Sequence, residues 1–256
     1  MLDYAAFPQQ RQALIREILQ QNGRVVCADL ARQMTVSEHT IRRDLHELSK
    51  EGLCKKVYGG AVLPLPDAGS FTHRKEQDHA VKALIAQRCA SLINSNSCIF
   101  IDAGTTNLAL ARALPADLAL TVVTNAPDIA AVLLAHPRAE VIMLGGQMQK
   151  STGGCVGQSA IQQVRGMLFD QAFIGGCAMS PEAGLTGFDY ADCEFKKVAI
   201  EQSNQVIVGL TAEKIPAVAR FKIAECHALS LLVVEKKLDK ALLSAFEAED
   251  LTLITV

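Results

Sequence analysis

The stretch Val36-Ser37-Glu38-His39-Thr40-Ile41-Arg42-Arg43-Asp44-Leu45-His46-Glu47-Leu48-Ser49-Lys50 decides how the first quarter of this 256-residue chain folds. Ser37 is a good N-cap, its hydroxyl able to accept from a backbone N–H of the first turn. At about 100° per residue, with Ile41 at zero, Leu45 and Leu48 fall at about 40° and −20°, so these three make an inward face. His39, Arg43, His46 and Lys50 fall about 140–200° away, a stripe of hydrogen-bond donors with Thr40 at its edge and Arg42 on its flank. Such a stripe suits a helix laid in a DNA major groove, where arginine reads guanine and His or Lys meets base edges and phosphates. The same pattern is also that of any solvated helix face.

Upstream, Leu14, Ile15, Ile18 and Leu19 share one face of a helix over 9–22 that Asn22-Gly23 ends. Arg24–Val26 is an extended link, and Ala28–Met34 is a second helix. Thr35-Val36-Ser37 turns into the third, which gives a helix-turn-helix motif at about 25–44. Downstream, Leu53-Cys-Lys-Lys-Val-Tyr58 is β-prone and ends at Gly59-Gly60, where the backbone can turn sharply. A basic hairpin beside a recognition helix is a wing, with Lys55 and Lys56 placed for phosphates. Residues 62–70 hold two prolines, an aspartate and a glycine, which end the module. Residues 1–61 carry nine Lys/Arg against seven Asp/Glu, the remainder sixteen against twenty, so a polyanion belongs at the N-terminal end.

The string Thr40-Ile-Arg-Arg-Asp-Leu45, followed by Gly52-Leu and Tyr58-Gly-Gly-Ala61, closely resembles the winged helix-turn-helix of DeoR-type bacterial transcriptional regulators. The resemblance implies DNA contacts by Arg42 and Arg43, with Asp44 orienting or stabilising the helix. The DNA-facing set is then Ser37, His39, Thr40, Arg42, Arg43, His46 and Lys50 on the helix, and Lys55, Lys56, Tyr58 and Gly59 on the wing.

Beyond residue 70 apolar runs alternate with helical patterns. Strands are expected at Cys98–Ile101, Leu120–Val123, Val141–Leu144, Ala172–Ile174, Val206–Leu210, Leu229–Val234 and Leu251–Val256, with helices at Asn107–Leu114, Asp128–Ala135, Ala191–Gln202 and Asp239–Ala248. This alternation predicts an α/β domain with a mostly parallel sheet. Four turns each follow a strand: Asp102-Ala-Gly104-Thr105-Thr106, Thr124-Asn125, Gly145-Gly146 and Gly175-Gly176. In an open α/β sheet the carboxyl ends of strands converge on one crevice. The first turn opens a helix with free N–H groups and two hydroxyls, which favours a phosphate. Each has a plainer reading. Asp102 would cap the helix, the Gly-Gly pairs would be tight strand exits, and Glu194 with Lys197 would be a surface pair.

The turns, with Gly157, Gly184-Leu185 and Glu194-x-x-Lys197, look like the sugar-phosphate-sensing domain of the same family, which is similar in fold to ribose-5-phosphate isomerase. The resemblance covers nearly the whole chain. It implies a phosphorylated sugar effector bound by Asp102, Gly104, Thr105, Thr106, Thr124, Asn125, Gly145, Gly146, Gly175, Glu194, Lys197 and Lys214. One departure stands out: the acid of the family's Asp-x-x-Lys motif is replaced by Thr211 in Thr211-Ala-Glu-Lys214, leaving Glu213 as a substitute carboxylate.

The expected organisation is a small winged helix-turn-helix domain over 8–63, a connecting segment over 64–82 and a larger effector domain over 83–256. No Walker or GxGxxG pattern occurs, so no nucleotide cofactor is expected. The eight cysteines never fall at CxxC spacing, which speaks against a zinc site or a disulfide framework. No apolar run approaches the ~18 residues needed to cross a bilayer, and Met1–Pro8 has no basic-then-apolar pattern, so a cytoplasmic protein is expected. Together these features predict a homo-oligomeric repressor of a carbohydrate-metabolism operon that binds operator DNA and is relieved by a sugar phosphate. The alternatives are an activator of the same type, or an isomerase-like enzyme using Asp102, Glu194 and Lys197 for proton transfer.

Overall fold

The computed structural model describes residues 7–63 and 70–256. Most of the proline-rich stretch and the first six residues fall outside the described residues. The N-terminal part begins with α1 (Pro8–Asn22), which Gly23 closes in the left-handed conformation, then β1 (Arg24–Val26) and α2 (Cys27–Met34). It continues with α3 (Glu38–Lys50), β2 (Lys55–Val57) and β3 (Gly60–Val62). Ser37 caps α3 as its sequence requires, accepting from the Thr40 N–H at 3.1 Å. Ile41, Leu45 and Leu48 are buried on the inward face of α3, against Ile15 and Leu19 of α1 and Leu30 of α2. β3 pairs antiparallel with both β1 and β2.

The connecting segment carries a short helix, α4 (Phe71–Lys75), before α5 (His79–Ala90). Then follow β4 (Ser97–Ile101), α6 (Thr105–Ala113), β5 (Leu120–Thr124), α7 (Pro127–Leu133) and β6 (Ala139–Met143). A hairpin of β7 (Gln147–Gln149) and β8 (Gly154–Val156) precedes α8 (Gln158–Arg165), β9 (Phe169–Ile174), β10 (Ala178–Ser180) and β11 (Gly184–Gly187). The chain ends with α9 (Tyr190–Glu201), β12 (Ser203–Leu210), β13 (Phe221–Ala224), β14 (Leu231–Val234), α10 (Lys240–Glu247) and β15 (Thr252–Thr255).

Seven strands form one parallel sheet in the order β15-β14-β12-β9-β4-β5-β6. Each of the seven strands expected from the apolar runs lies in it. Helices α5, α6 and α7 cover one face and α8, α9 and α10 the other, which gives two apolar cores on either side of the sheet. After β4 the chain builds outward through β5 and β6, then returns to lay β9 on the opposite side of β4. That reversal opens a crevice at the carboxyl ends of β4 and β9. The alternating pattern gave no sign of the small antiparallel sheet β10-β11-β13 or of the β7–β8 hairpin. All eight cysteines are free, and six are buried. Among the described residues no helix is long and apolar enough to cross a membrane.

The two parts touch. Val57 and Val62 pack with Ala183 and Val218, Arg24 pairs with Glu182 at 2.7 Å, and Lys55 donates to the carbonyl of Ala219 at 2.7 Å and of Arg220 at 3.2 Å.

Candidate functional site

Two separate surfaces carry chemistry. The first is the outward side of α3, where His39, Arg43, His46 and Lys50 are exposed. Arg42 pairs with Glu38 at 2.8 Å and Lys50 with Glu47 at 3.1 Å, one turn apart and solvent-exposed. Ser37 and Thr40 share their hydroxyls at 2.9 Å at the start of the helix. Asp44 is the exception to the helix's polar exterior: it is 3% exposed and forks with the buried Arg11 guanidinium through both oxygens, with Gln12 donating at 3.3 Å. It therefore fixes α3 on α1. The wing turns at Tyr58, which is 93% exposed, and at Gly59, whose φ of 76° suits a residue without Cβ. Lys56 is exposed beside it. Lys55 corrects the sequence expectation: its ammonium is taken up by the 219 and 220 carbonyls of the larger part, so in this conformation it does not face outward for a phosphate.

The second surface is a cleft at the β4–β9 reversal. From the set expected by sequence it gathers Gly104, Thr105, Thr106, Gly175 and Lys214, and it adds Arg74, Thr152 and Lys196, which the sequence reading missed. The first turn of α6, whose N–H groups lack helical partners, lines the cleft, and among the described residues no Asp or Glu does.

Other residues of the expected set stand elsewhere. Asp102 is fully buried behind the wall and does not cap α6. Its Oδ2 accepts from the Gly175 N–H at 2.8 Å and faces Lys196 Nζ at 3.3 Å, while Oδ1 has no hydrogen-bond partner among the described residues. A Cβ at Gly175 would lie 2.7 Å from the Ala103 carbonyl, so only glycine allows this close approach. Thr124 and Asn125 are buried scaffolding: Thr124 Oγ1 donates to the Ile101 carbonyl at 2.6 Å. Asn125 accepts from the Ala103 N–H at 3.0 Å and donates to the Cys155 carbonyl at 3.1 Å. Gly145 and Gly146 follow β6, two strands from β4, and do not line the cleft.

Glu194 and Lys197 also lie outside the lining, half exposed and paired with each other at 2.7 Å. The lysine that reaches the cleft is Lys196, one position back and so about 100° around the helix. Its Nζ sits 2.6 Å from Asp192 Oδ2, and all three charged groups of this triad are buried. The spacing of Asp192 and Lys196 in phase with buried Cys193, Phe195 and Ala199 is the signal that would have found it. Burial pushes the Asp102 carboxyl up to about 6 against the pull of Lys196. Burial alone would strip the Lys196 ammonium, but Asp102 and Asp192 outweigh it and hold its proton more tightly than usual. For Lys214 burial wins, with the Arg74 and Lys82 cations acting the same way, and its ammonium is pushed down. Thr211, at the place of the family's acid, donates to Glu213 at 3.1 Å.

Comparisons with known proteins match both parts of the chain. The DeoR-like helix-turn-helix domain matches residues 11–66, and the DeoR C-terminal sensor domain matches residues 77–236. The HTH-type transcriptional regulator GolR of Listeria innocua is 32% identical over 94% of this chain and 96% of its own. The glycerol-3-phosphate regulon repressor of Escherichia coli is 33% identical over 78% of this chain and 79% of its own. The HTH-type transcriptional repressor GlcR of Bacillus subtilis is 30% identical over 90% and 89%. Among solved structures, ribose 5-phosphate isomerase A of Methanocaldococcus jannaschii overlaps 52% of each chain at 14% identity and a TM-score of 0.39, too loose a likeness to bear on the site. With both of the family's domains matched in order, and relatives aligned nearly end to end, this chain belongs to the DeoR family of helix-turn-helix transcriptional regulators.

Proposed function

We propose that the protein is a repressor of a carbohydrate-metabolism operon, acting as a homo-oligomer on operator DNA and released by a phosphorylated sugar. The observation that carries the effector class is the lining of the cleft. Two cations, Arg74 and Lys214, line the cleft with the hydroxyl-bearing first turn of α6, and among the described residues no carboxylate is in the lining, the Lys196 charge being balanced by buried Asp102 and Asp192 behind it. This favours an anion held at rest. An isomerase would need a carboxylate or similar base touching the sugar, and Glu194 lies outside the lining, which supports a sensor without catalytic turnover.

A thermal-shift panel of small phosphorylated sugars, including glycerol 3-phosphate, with their neutral counterparts tests this reading. The responding compound at 100 times its Kd adds about 2.7 kcal/mol of stability, while its neutral counterpart adds little. Thr106→Val removes one hydroxyl from the cleft wall and lowers affinity by about 1.5–3 kcal/mol with little change in the free protein's Tm. Stabilisation by neutral and phosphorylated sugars alike would sink the phosphate reading, and conversion of the bound sugar to an isomer would restore the enzyme.

On DNA, Arg43 is exposed at the centre of the stripe, and Arg43→Ala costs about 1–3 kcal/mol on the operator and relaxes base preference. Lys56→Ala weakens binding to all sequences and flattens the salt slope. Equal losses from both variants on operator and random DNA would remove α3 from the groove.

A further inference from the structure

The cleft has one wall that belongs to neither matched domain. Arg74 lies on α4, between the helix-turn-helix match ending at 66 and the sensor match starting at 77, yet it lines the cleft. α4 is fastened to the larger part at three points. Buried Lys82 donates to the carbonyl of Arg74 at 2.8 Å and of Gln77 at 2.6 Å, so its ammonium caps the end of the short helix. Lys75 pairs with Asp128 at 2.7 Å. Phe71 lies against Gly153, where a Cβ would come within 2.8 Å of the ring.

These contacts bring Arg74 to the loop between β7 and β8, where its guanidinium donates to the Ser151 carbonyl at 2.6 Å. The next residue, Thr152, lines the cleft, is 9% exposed, and its buried Oγ1 has no hydrogen-bond partner among the described residues. A buried hydroxyl without a partner costs free energy unless something else satisfies it. Lys214 supplies a second cation to the same cleft, with the α6 amides opposite.

We propose that the phosphoryl group of the effector is bound jointly by Arg74, the Thr152 hydroxyl and Lys214, so that the connecting helix is itself part of the binding site. This rests on the phosphorylated-effector reading above and adds the residues that grip its charge. A fork-shaped guanidinium suits a phosphoryl group, and the Thr152 O–H donates the bond it lacks in the free protein. The arrangement also gives the ligand a hold on both routes to the DNA-binding part. Arg74 stands on the segment that leads back to β3. Lys214 precedes the stretch in which Pro216 packs on Gly23, Val218 on the wing, and the 219 and 220 carbonyls hold Lys55.

The test uses the full chain, with inorganic phosphate and glycerol 3-phosphate as probes in thermal shift and calorimetry. Arg74→Gln is expected to lower affinity for a bound probe tenfold or more, with Arg74→Lys recovering part of it. Thr152→Val is the cleaner variant, because the hydroxyl has no partner to lose among the described residues. The free variant keeps or raises its Tm, and probe affinity falls about fivefold or more. If the wild-type chain binds neither probe nor any phosphorylated sugar of the panel, the effector reading itself falls, and this inference with it. If wild type binds and Thr152→Val and Arg74→Gln bind equally well, the effector reading stands and the joint site is overturned.

Discussion

Replacing Lys196 by methionine is expected to destabilise the larger domain by about 3–5 kcal/mol, the cost of leaving a buried charge without its partner. Asp102 and Asp192 are both 0% exposed and face this one ammonium, so the variant would confine two carboxylates with nothing to balance them. For a domain of this size each kcal/mol moves Tm by about 2–4 °C, so a fall of roughly 10 °C is expected in calorimetry. The pH dependence fixes the cause. The Asp102 carboxyl is already raised to about 6, and removing Lys196 raises it further. A carboxyl whose folded-state value lies above its unfolded value lends stability at low pH and loses it as pH rises through the folded value. The deficit of the variant is therefore largest at high pH, shrinks as pH is lowered through the variant's raised value above about 6, and levels off once Asp102 is protonated in both proteins. Lys197→Met, which breaks only a half-exposed pair, should change stability by less than about 1 kcal/mol. Equal effects of the two substitutions would remove the buried triad as a source of stability.

Asp44→Ala is expected to abolish operator binding while leaving the sensor cleft intact. The side chain touches no groove; it holds α3 on α1 through the buried Arg11 fork. Losing the carboxylate breaks the buried Asp44–Arg11 pair, again about 3–5 kcal/mol. A module of under 60 residues has only a few kcal/mol in total, so the loss is comparable with its whole stability. Calorimetry should show the helix-turn-helix transition lowered or missing, and operator affinity falling more than a hundredfold. A ligand that stabilises the larger domain of the wild-type chain should still stabilise the remaining transition. An Asp44→Ala chain with full operator affinity would show that the Arg11 pair does not hold the recognition helix.

Much of this molecule follows from local pattern. Ser37 as a cap, Gly23 as a stop, the inward triplet Ile41, Leu45 and Leu48, and the apolar runs that became the seven sheet strands are each set by residues within one or two turns of one another. The helix entry after β4 was equally legible, because Gly104-Thr105-Thr106 opens a helix whose first amides lack helical partners.

Which turns meet was not legible. Thr124-Asn125 and Gly145-Gly146 follow strands just as Gly175 does, but β5 and β6 lie on the far side of β4 from β9, so only the last faces the cleft. Strand order is a matter of long-range pairing, and no local periodicity encodes it. Lys196 and Lys197 differ by one residue, yet one is sealed between two carboxylates and the other stands half exposed beside Glu194. Lys55 lies on the wing with Lys56, but the larger domain takes its ammonium. Sequence by itself determined the helix-turn-helix, the strands of the parallel sheet and the family. The tertiary structure decided which charged groups are buried together and which connecting residues reach the cleft, because those juxtapositions come from strand order and domain packing rather than from neighbours along the chain.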